Sequence, residues 1–536
     1  MIKRTRTVPK KTESSERTKR SASELEASDP KRKPFVPEQL DRTVIAIPLL
    51  DLMQKEKAKM EKNSKLRPER HKVIIDLNLQ FPGGRDEARE WVVRAAREII
   101  AERGVVKDLG QQDINDKRGR LNPQYLFGKL EGRVIRELVR RDARDHPPPK
   151  TGGGGFSPLA IYHIWPDFTI RALTNKSVST VKADAARASF SALGSGIVWA
   201  VLDSGIDHSH PHFKLHQNLK ADSPLKAIDF TGEDNTTEDP MGHGTHVAGI
   251  IAGEMQIAPG KKGVLRAYVR IRGEHGEIKH IPSPITHISG MAPKCKVLNY
   301  RVLNSEGEGD VSSLLEAIAE IQEINGYGRR LLIHGVNMSL GNDFEPEWFA
   351  CGQSPLCVEV NRLVKSGVVV VVAAGNSGYQ NLKDVDTVGI NTGMTVSIND
   401  PGNAEYAITV GSTHRDMPHV YGVSYFSSKG PTGDGRFKPD IVAPGEKIVS
   451  CSSGRARERV KDDVGKDSDY VEDSGTSMAA PHVSGVIAAF LSVRREFIGQ
   501  PEKVKEIFLS TATDLKRERY FQGYGLVDLM RAIQSV

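Results

Sequence analysis

Five consecutive valines, Val368 to Val372, run into Ala373-Ala374-Gly375-Asn376-Ser377-Gly378. β-Branched side chains favour extended backbone, and a run with no polar position has no solvent face. Such a run belongs in a central strand of a parallel sheet, covered on both sides. The chain must then supply further strands and the helices that cover them. Val297–Leu303 and Leu331–Leu340 read as strands, Val311–Ile324 as a helix, and Val358–Lys365 lies on another. The fold class is therefore α/β, a central parallel sheet with helices on both faces and right-handed crossovers.

Catalytic and binding groups of such sheets collect at the carboxyl ends of the strands. Asn376 sits at such an end and offers a side-chain amide; alone it reads as a turn asparagine. A second apolar run, Gly196 to Leu202, ends in Asp203-Ser204-Gly205. Asp207, four residues on, is a rival acid, but it lacks the strand before it. Gly242-His243-Gly244-Thr245-His246 opens a small-residue apolar helix. Its glycines let the backbone approach another element closely, and His243 can project from the helix mouth. His246, inside the helix, reads as structural. Gly475-Thr476-Ser477-Met478-Ala479-Ala480-Pro481-His482 opens the most apolar helix of the chain. A hydroxyl there lies beside unpaired N–H groups and a positive dipole end, a ready site for a developing oxyanion. Pro481 is read as a first-turn residue, where no amide hydrogen is needed. Each motif alone has an ordinary structural explanation.

Together, in the order Asp, His, Asn, Ser, they resemble the subtilisin-like (subtilase) serine proteases over roughly 195–536. Asn337-Met338-Ser339-Leu340-Gly341, Phe426-Ser427-Ser428-Lys429-Gly430-Pro431 and Lys438-Pro439-Asp440-Ile441-Val442-Ala443-Pro444-Gly445 add to the resemblance. It implies Asp203, His243 and Ser477 as the catalytic triad and Asn376 as an oxyanion donor. It implies that Ser339, Leu340 and Gly341 pair with an extended substrate, and that Ala374 and Gly375 line the pocket before the scissile bond. No essential position departs from the pattern, so an intact serine endopeptidase is expected, with protein or peptide substrates. No cofactor is required for catalysis. Calcium is common in the family, but no ligand set is readable; Asp462, Asp463, Asp467 and Asp469 are the candidates. His208, His210 and His212 lack a zinc spacing, and His210-Pro211 matches a pair usual after the family's aspartate.

A chain of 536 residues is expected to hold two or three domains. Residues 1–70 carry nineteen Lys/Arg against eleven Asp/Glu, so they account for the whole net charge of +7. They are read as a basic, largely disordered leader with a short helix near Leu49–Met60; nucleic acid is not the expected partner. Residues 71–174 form an expected α+β domain: strands at His71–Phe81, Tyr125–Leu130 and Ile161–Leu173, helices at Asp86–Arg103 and Glu131–Asp142. This outline, and Ile164-Trp165-Pro166-Asp167, resemble the inhibitory propeptides of subtilases. Residues 175–192 are the expected linker and autoprocessing region, and 193–536 the catalytic domain. The alternative is a selective, partner-activated processing protease that retains 71–174 as a regulatory or recruitment domain. An interaction module with a vestigial site is a third reading, which the intact triad opposes.

The first twenty residues have no apolar core of a secretory signal, and Met478–Leu491 is shorter than the ~18–20 residues needed to span a bilayer. Those two features, with only four cysteines, lead to the expectation of an intracellular protein without membrane contact. Cys351 and Cys357 could close a small loop or stay reduced. Gly260–Ile288 and Arg455–Tyr470 read as insertions, the first a β-hairpin of Val264–Arg272 and Glu277–Ile281, the second a mobile loop.

Overall fold

In the computed structural model the valine run is a strand, Val369–Ala373, buried along its whole length. It lies inside a seven-stranded, all-parallel sheet. The spatial order is Ile441–Glu446, Ile408–His414, Val369–Ala373, Gly335–Met338, Val198–Asp203, Lys296–Arg301 and Ile228–Asp229. Val369, Val371 and Ala373 pack in one layer with the helices His243–Ile251 and Thr476–Val493. Val370 and Val372 pack in the other, with the helices Val311–Ile324 and Pro355–Lys365. Two apolar layers on one strand explain why no polar residue interrupts it. The chain runs outward from Val198–Asp203 in one direction, then returns to Gly335–Met338 and continues in the other. The switch point therefore lies between these two neighbouring strands, which end in Asp203 and just before Ser339. Crevices at such points are where ligands bind.

The structure describes residues 44–62, 68–102, 112–115, 124–147, 159–166, 176–257, 263–272, 277–344, 347, 350–382 and 390–536. The chain divides into two units at Phe168/Thr169. In the first, an antiparallel sheet has the order Asp113–Asn115, Tyr125–Glu131, Arg70–Leu77, Ile161–Pro166. Two helices, Gly84–Glu102 and Gly132–Asp145, bury Trp91, Val92, Ile99, Ile135 and Leu138 against Val73, Ile75 and Leu77. The three-residue strand at 113–115 carries too little pattern to be read from sequence. The unit starts earlier than the expected boundary at 70. A helix at Ile47–Lys62 buries Leu49 and Met53 in the same core, and its Glu56 accepts from the Glu69 N–H (2.7 Å) and meets His71 Nε2 (2.8 Å). Residues 1–43 and the Thr151–Gly155 break lie outside the described residues.

Three expectations change in the second unit. Residues 176–190 are two short helices, Lys176–Thr180 and Ala183–Phe190, where a linker was expected. Val178, Val181, Ala183 and Ala186 are buried in the main core, and Arg187 bonds the Gly290 and Met291 carbonyls. The stretch expected as a mobile loop is a helix, Gly454–Val464, followed by a strand, Tyr470–Asp473. Val460 is buried against Tyr268 and Val471, which fixes that helix on the insertion hairpin. The hairpin strands, Ala267–Arg272 and Ile278–Pro282, join Tyr470–Asp473 and Ile448–Cys451 in a four-stranded sheet. Third, the apolar helix Thr476–Val493 is longer than the sequence reading. With 18 residues and mean hydropathy 1.4 it is the one described helix long and apolar enough to cross a membrane, and 83% of it is buried in the core. All four cysteines are free and buried, and burial pushes the Cys357 thiol up to about 12.

In the first unit, Asp142 is buried and accepts from the Ala160 N–H (3.0 Å) and the Ile161 N–H (2.9 Å), while His146 Nδ1 lies 2.8 Å away. It thereby pins the start of the Ile161–Pro166 strand. Removing it strands two buried donors at about 1–3 kcal/mol each. We expect Asp142→Ala to speed amide hydrogen exchange at Ala160 and Ile161 about tenfold or more. Unchanged exchange at both amides would remove this role.

Candidate active site

Asp203 ends its strand, and Ser204 turns the chain away from the sheet. Its Oδ1 lies 2.7 Å from His243 Nδ1 and also accepts the Ser204 N–H (2.8 Å). His243 is the first residue of its helix. The helix mouth comes this close because Gly244 has no side chain: a Cβ there would lie 2.2 Å from the Gly205 carbonyl oxygen. Asp207 does not reach His243. Its carboxylate accepts from the Ser209 N–H (2.8 Å) and hydroxyl (2.7 Å), which decides between the two acids.

A residue that the motifs did not single out holds this arrangement together. Asp239 is buried; its Oδ1 accepts from the Ser204 hydroxyl (2.8 Å) and Gly242 N–H (2.8 Å). Its Oδ2 accepts from the Thr245 N–H (2.8 Å) and hydroxyl (2.7 Å). One carboxylate thus caps the His243 helix and ties it to the residue after Asp203. An acid four residues before a helix-opening histidine was the available signal.

Ser477 lies in the first turn of Thr476–Val493, and its hydroxyl donates to the Ser339 carbonyl (2.9 Å). Met338 pairs with Leu202, so Ser339 and Asp203 leave adjacent strands side by side. The contact is reciprocal: the Ser339 hydroxyl donates to the Ser477 carbonyl (2.8 Å) and accepts from Asn337 Nδ2 (2.9 Å). Pro481 explains it. The proline lies inside the helix, not in its first turn as expected. Having no N–H, it leaves the Ser477 carbonyl without its helical donor, and Ser339 supplies one.

Asn376 Oδ1 accepts from the Thr476 N–H (2.9 Å) and hydroxyl (3.0 Å). Those two donors fix the amide orientation and leave its NH2 unpaired among the described residues. Ala374 and Gly375 precede it on the same strand end; Leu340 and Gly341 follow Ser339 on the neighbouring one. Three of the four calcium candidates already have side-chain partners. Asp467 and Asp469 pair with Arg266 (3.2 and 2.5 Å), Asp467 also with Arg457, and Asp463 with His280 (2.9 Å). His210 Nε2 meets the Asp469 carbonyl (2.8 Å) and His212 Nδ1 the Tyr470 hydroxyl (3.1 Å), both as core histidines.

A sequence model of the subtilase family (Peptidase_S8) matches residues 194–526, and the chain belongs to that family, the serine-protease class its motifs resemble. The fold is subtilisin-like. The chain is 29% identical to the serine protease AprX of Bacillus subtilis over 339 residues, covering 62% of this chain and 64% of AprX. It is 31% identical to pyrolysin of Pyrococcus furiosus over 337 residues, 55% of this chain and 21% of pyrolysin. It spans less than two thirds of either relative. Subtilisin E of Bacillus subtilis is 29% identical over 424 residues, 78% of this chain and 85% of that protein. Among solved structures, the prenylagaramide maturation protease PagA aligns with 22% identity and TM-score 0.42, covering 64% of this chain and 95% of that one.

Burial works against a charge on His243, but the Asp203 charge and hydrogen bond, with Asp473 and Asp239 behind them, outweigh it and hold the imidazole up at about 9. The deeper histidines behave oppositely. Burial holds His212 down at about 3, and His246 and His482 at about 4. Unfolded, each would titrate near 6.5. Their contribution is present above that value and is lost as pH falls toward the folded values. His243, raised instead, contributes fully below about 6.5 and loses its contribution only as pH rises through about 9, so it is constant over the acid window. We expect stability in urea to fall between pH 6.5 and 5, by about 1.4 kcal/mol per pH unit for each histidine kept neutral. A midpoint unchanged across that window would contradict it.

Proposed function

We propose that the chain is a serine endopeptidase that cleaves peptide bonds through an acyl-enzyme. The observation that carries this reading is the 2.7 Å Asp203–His243 contact, one strand away from Ser477. Ser477 Oγ attacks the substrate carbonyl carbon. His243 takes its proton, stabilised as a cation by Asp203, and later delivers it to the leaving amine. The unpaired NH2 of Asn376 and the backbone N–H of Ser477, in the helix's first turn, receive the oxyanion. Ser339–Gly341 offers its backbone edge to an extended substrate. The Ser477 hydroxyl turns from Ser339 to His243 when substrate arrives; catalytic hydrogen bonds of this kind tighten in the Michaelis complex.

The 44–168 unit is proposed as the chain's own inhibitor. Its βα pattern supports this, as does the second face of its sheet, where Ile74 stands opposite Phe127 and Trp165 in register. These three half-buried side chains form an apolar stripe on the sheet face away from the two helices. Processing is proposed N-terminal to Lys176, because the helices from 176 to 190 belong to the second unit's core. The alternative, a partner-activated protease that retains this unit, differs only in whether the chain is cut.

Two measurements test these readings. First, kcat/KM should rise with pH to an apparent pKa near 9, as His243 loses its proton. Asp473→Asn should move that limb lower, and Asn376→Ala should cost about 10²–10³ in kcat, the size seen when subtilisin loses its oxyanion asparagine. Wild-type rates unaffected by either change would refute the assignment. Second, intact mass of wild type and Ser477→Ala should show a cut before Lys176 in the wild type alone. If both stay full length while peptides are cleaved, the unit is a permanent regulator.

A further inference from the structure

The pocket before the scissile bond has a chemistry of its own. Ser339–Gly341 and Ala374–Asn376 leave adjacent strands, and the residues just beyond each line one cavity of about 610 Å³. Ser377, the neighbour of the oxyanion donor, is on one side; Asp343 and Phe344 are on the other. Asn399 joins the two sides. Its N–H donates to the Ala374 carbonyl (3.0 Å) and its Nδ2 to Asp343 Oδ1 (3.0 Å). It also packs against Gly375, whose φ is +106° and where a Cβ would lie 2.2 Å from Asn399 Oδ1. A substrate held on Ser339–Gly341 with its carbonyl at Ser477 directs the preceding side chain between these segments.

Phe344, Met394, Val396 and Ile398 give the cavity apolar walls. Its charged lining is two carboxylates, with no cationic side chain among the described lining residues. Asp434 is already paired, to Arg436 Nε (2.7 Å) and the Thr432 hydroxyl (2.6 Å). Asp343 has only the Asn399 amide on Oδ1, and its Oδ2 has no partner among the described residues. Apolar walls with one uncompensated carboxylate suit a long aliphatic stem with a cationic tip. A leucine would fill the walls but make no ion pair with the solvent-exposed Asp343 carboxylate, and a glutamate would be repelled.

We propose that Asp343 makes this the pocket for lysine or arginine immediately before the cleaved bond, so that the substrates are cut after basic residues. The proposal rests on the endopeptidase reading. It is tested with four peptides that differ only at that position, carrying Arg, Lys, Leu or Glu, on wild type, Asp343→Asn and Asp343→Lys. In wild type, kcat/KM for Arg and Lys should exceed that for Leu by about tenfold or more. Asp343→Asn should lower the Arg-to-Leu ratio about tenfold, and Asp343→Lys should make Glu better than Arg. A wild type that prefers Leu, or a ratio that neither variant moves, overturns the proposal and leaves the endopeptidase reading standing. If no peptide is cut the proposal falls, and fluorophosphonate labelling of Ser477 then decides whether the endopeptidase reading falls with it.

Discussion

The burial of one helix underlies both the fold and the site. Thr476–Val493 crosses the sheet on its inner layer and packs against the His243 helix, with nearly every side chain from Thr476 to Leu491 buried. A helix so enclosed cannot drift, so its open first turn stands at a fixed place on the sheet edge. From that first turn the Ser477 hydroxyl reaches the Ser339 carbonyl at the switch point, where Asp203 also emerges. The parallel sheet therefore serves as a jig. It aligns strand ends, and each strand end carries one part of the chemistry.

Second contacts hold those parts to one another. Asp239 joins the turn after Asp203 to the helix that bears His243. Ser339 and Ser477 exchange hydrogen bonds, with Asn337 behind them and the Ser484 hydroxyl on Asn337 Oδ1 (2.8 Å). Thr476 orients Asn376. Every catalytic candidate is thus held by a neighbour whose own partners are buried, which preserves sub-ångström geometry in a site built from four separate segments.

The central strands, the residues at their ends and the helix mouths were legible because each rests on local pattern: an apolar run, then a chemistry-bearing residue at its end. Asp239 was not legible, since a capping acid looks like any turn acid until its four bonds are seen. The helices at 176–190 escaped because their Ser, Ala, Lys and Thr composition resembles a linker; tertiary burial of Val178, Val181 and Ala186 decides their state. Gly454–Val464 escaped for the same reason, with one buried valine outweighing a charged sequence. Pro481 was placed a turn too early because the helix starts at Thr476, and the start depends on how Asn376 caps it.

That proline has a thermal consequence. The Ser477 carbonyl is held by another segment of the chain instead of by its own helix. Loosening the Ser339 strand end therefore releases Ser477 while the helix below it is still intact. Local opening of this kind has a lower free energy than global unfolding. On heating, the Ser339–Ser477 contact can therefore open while the secondary structure on either side of it is still in place.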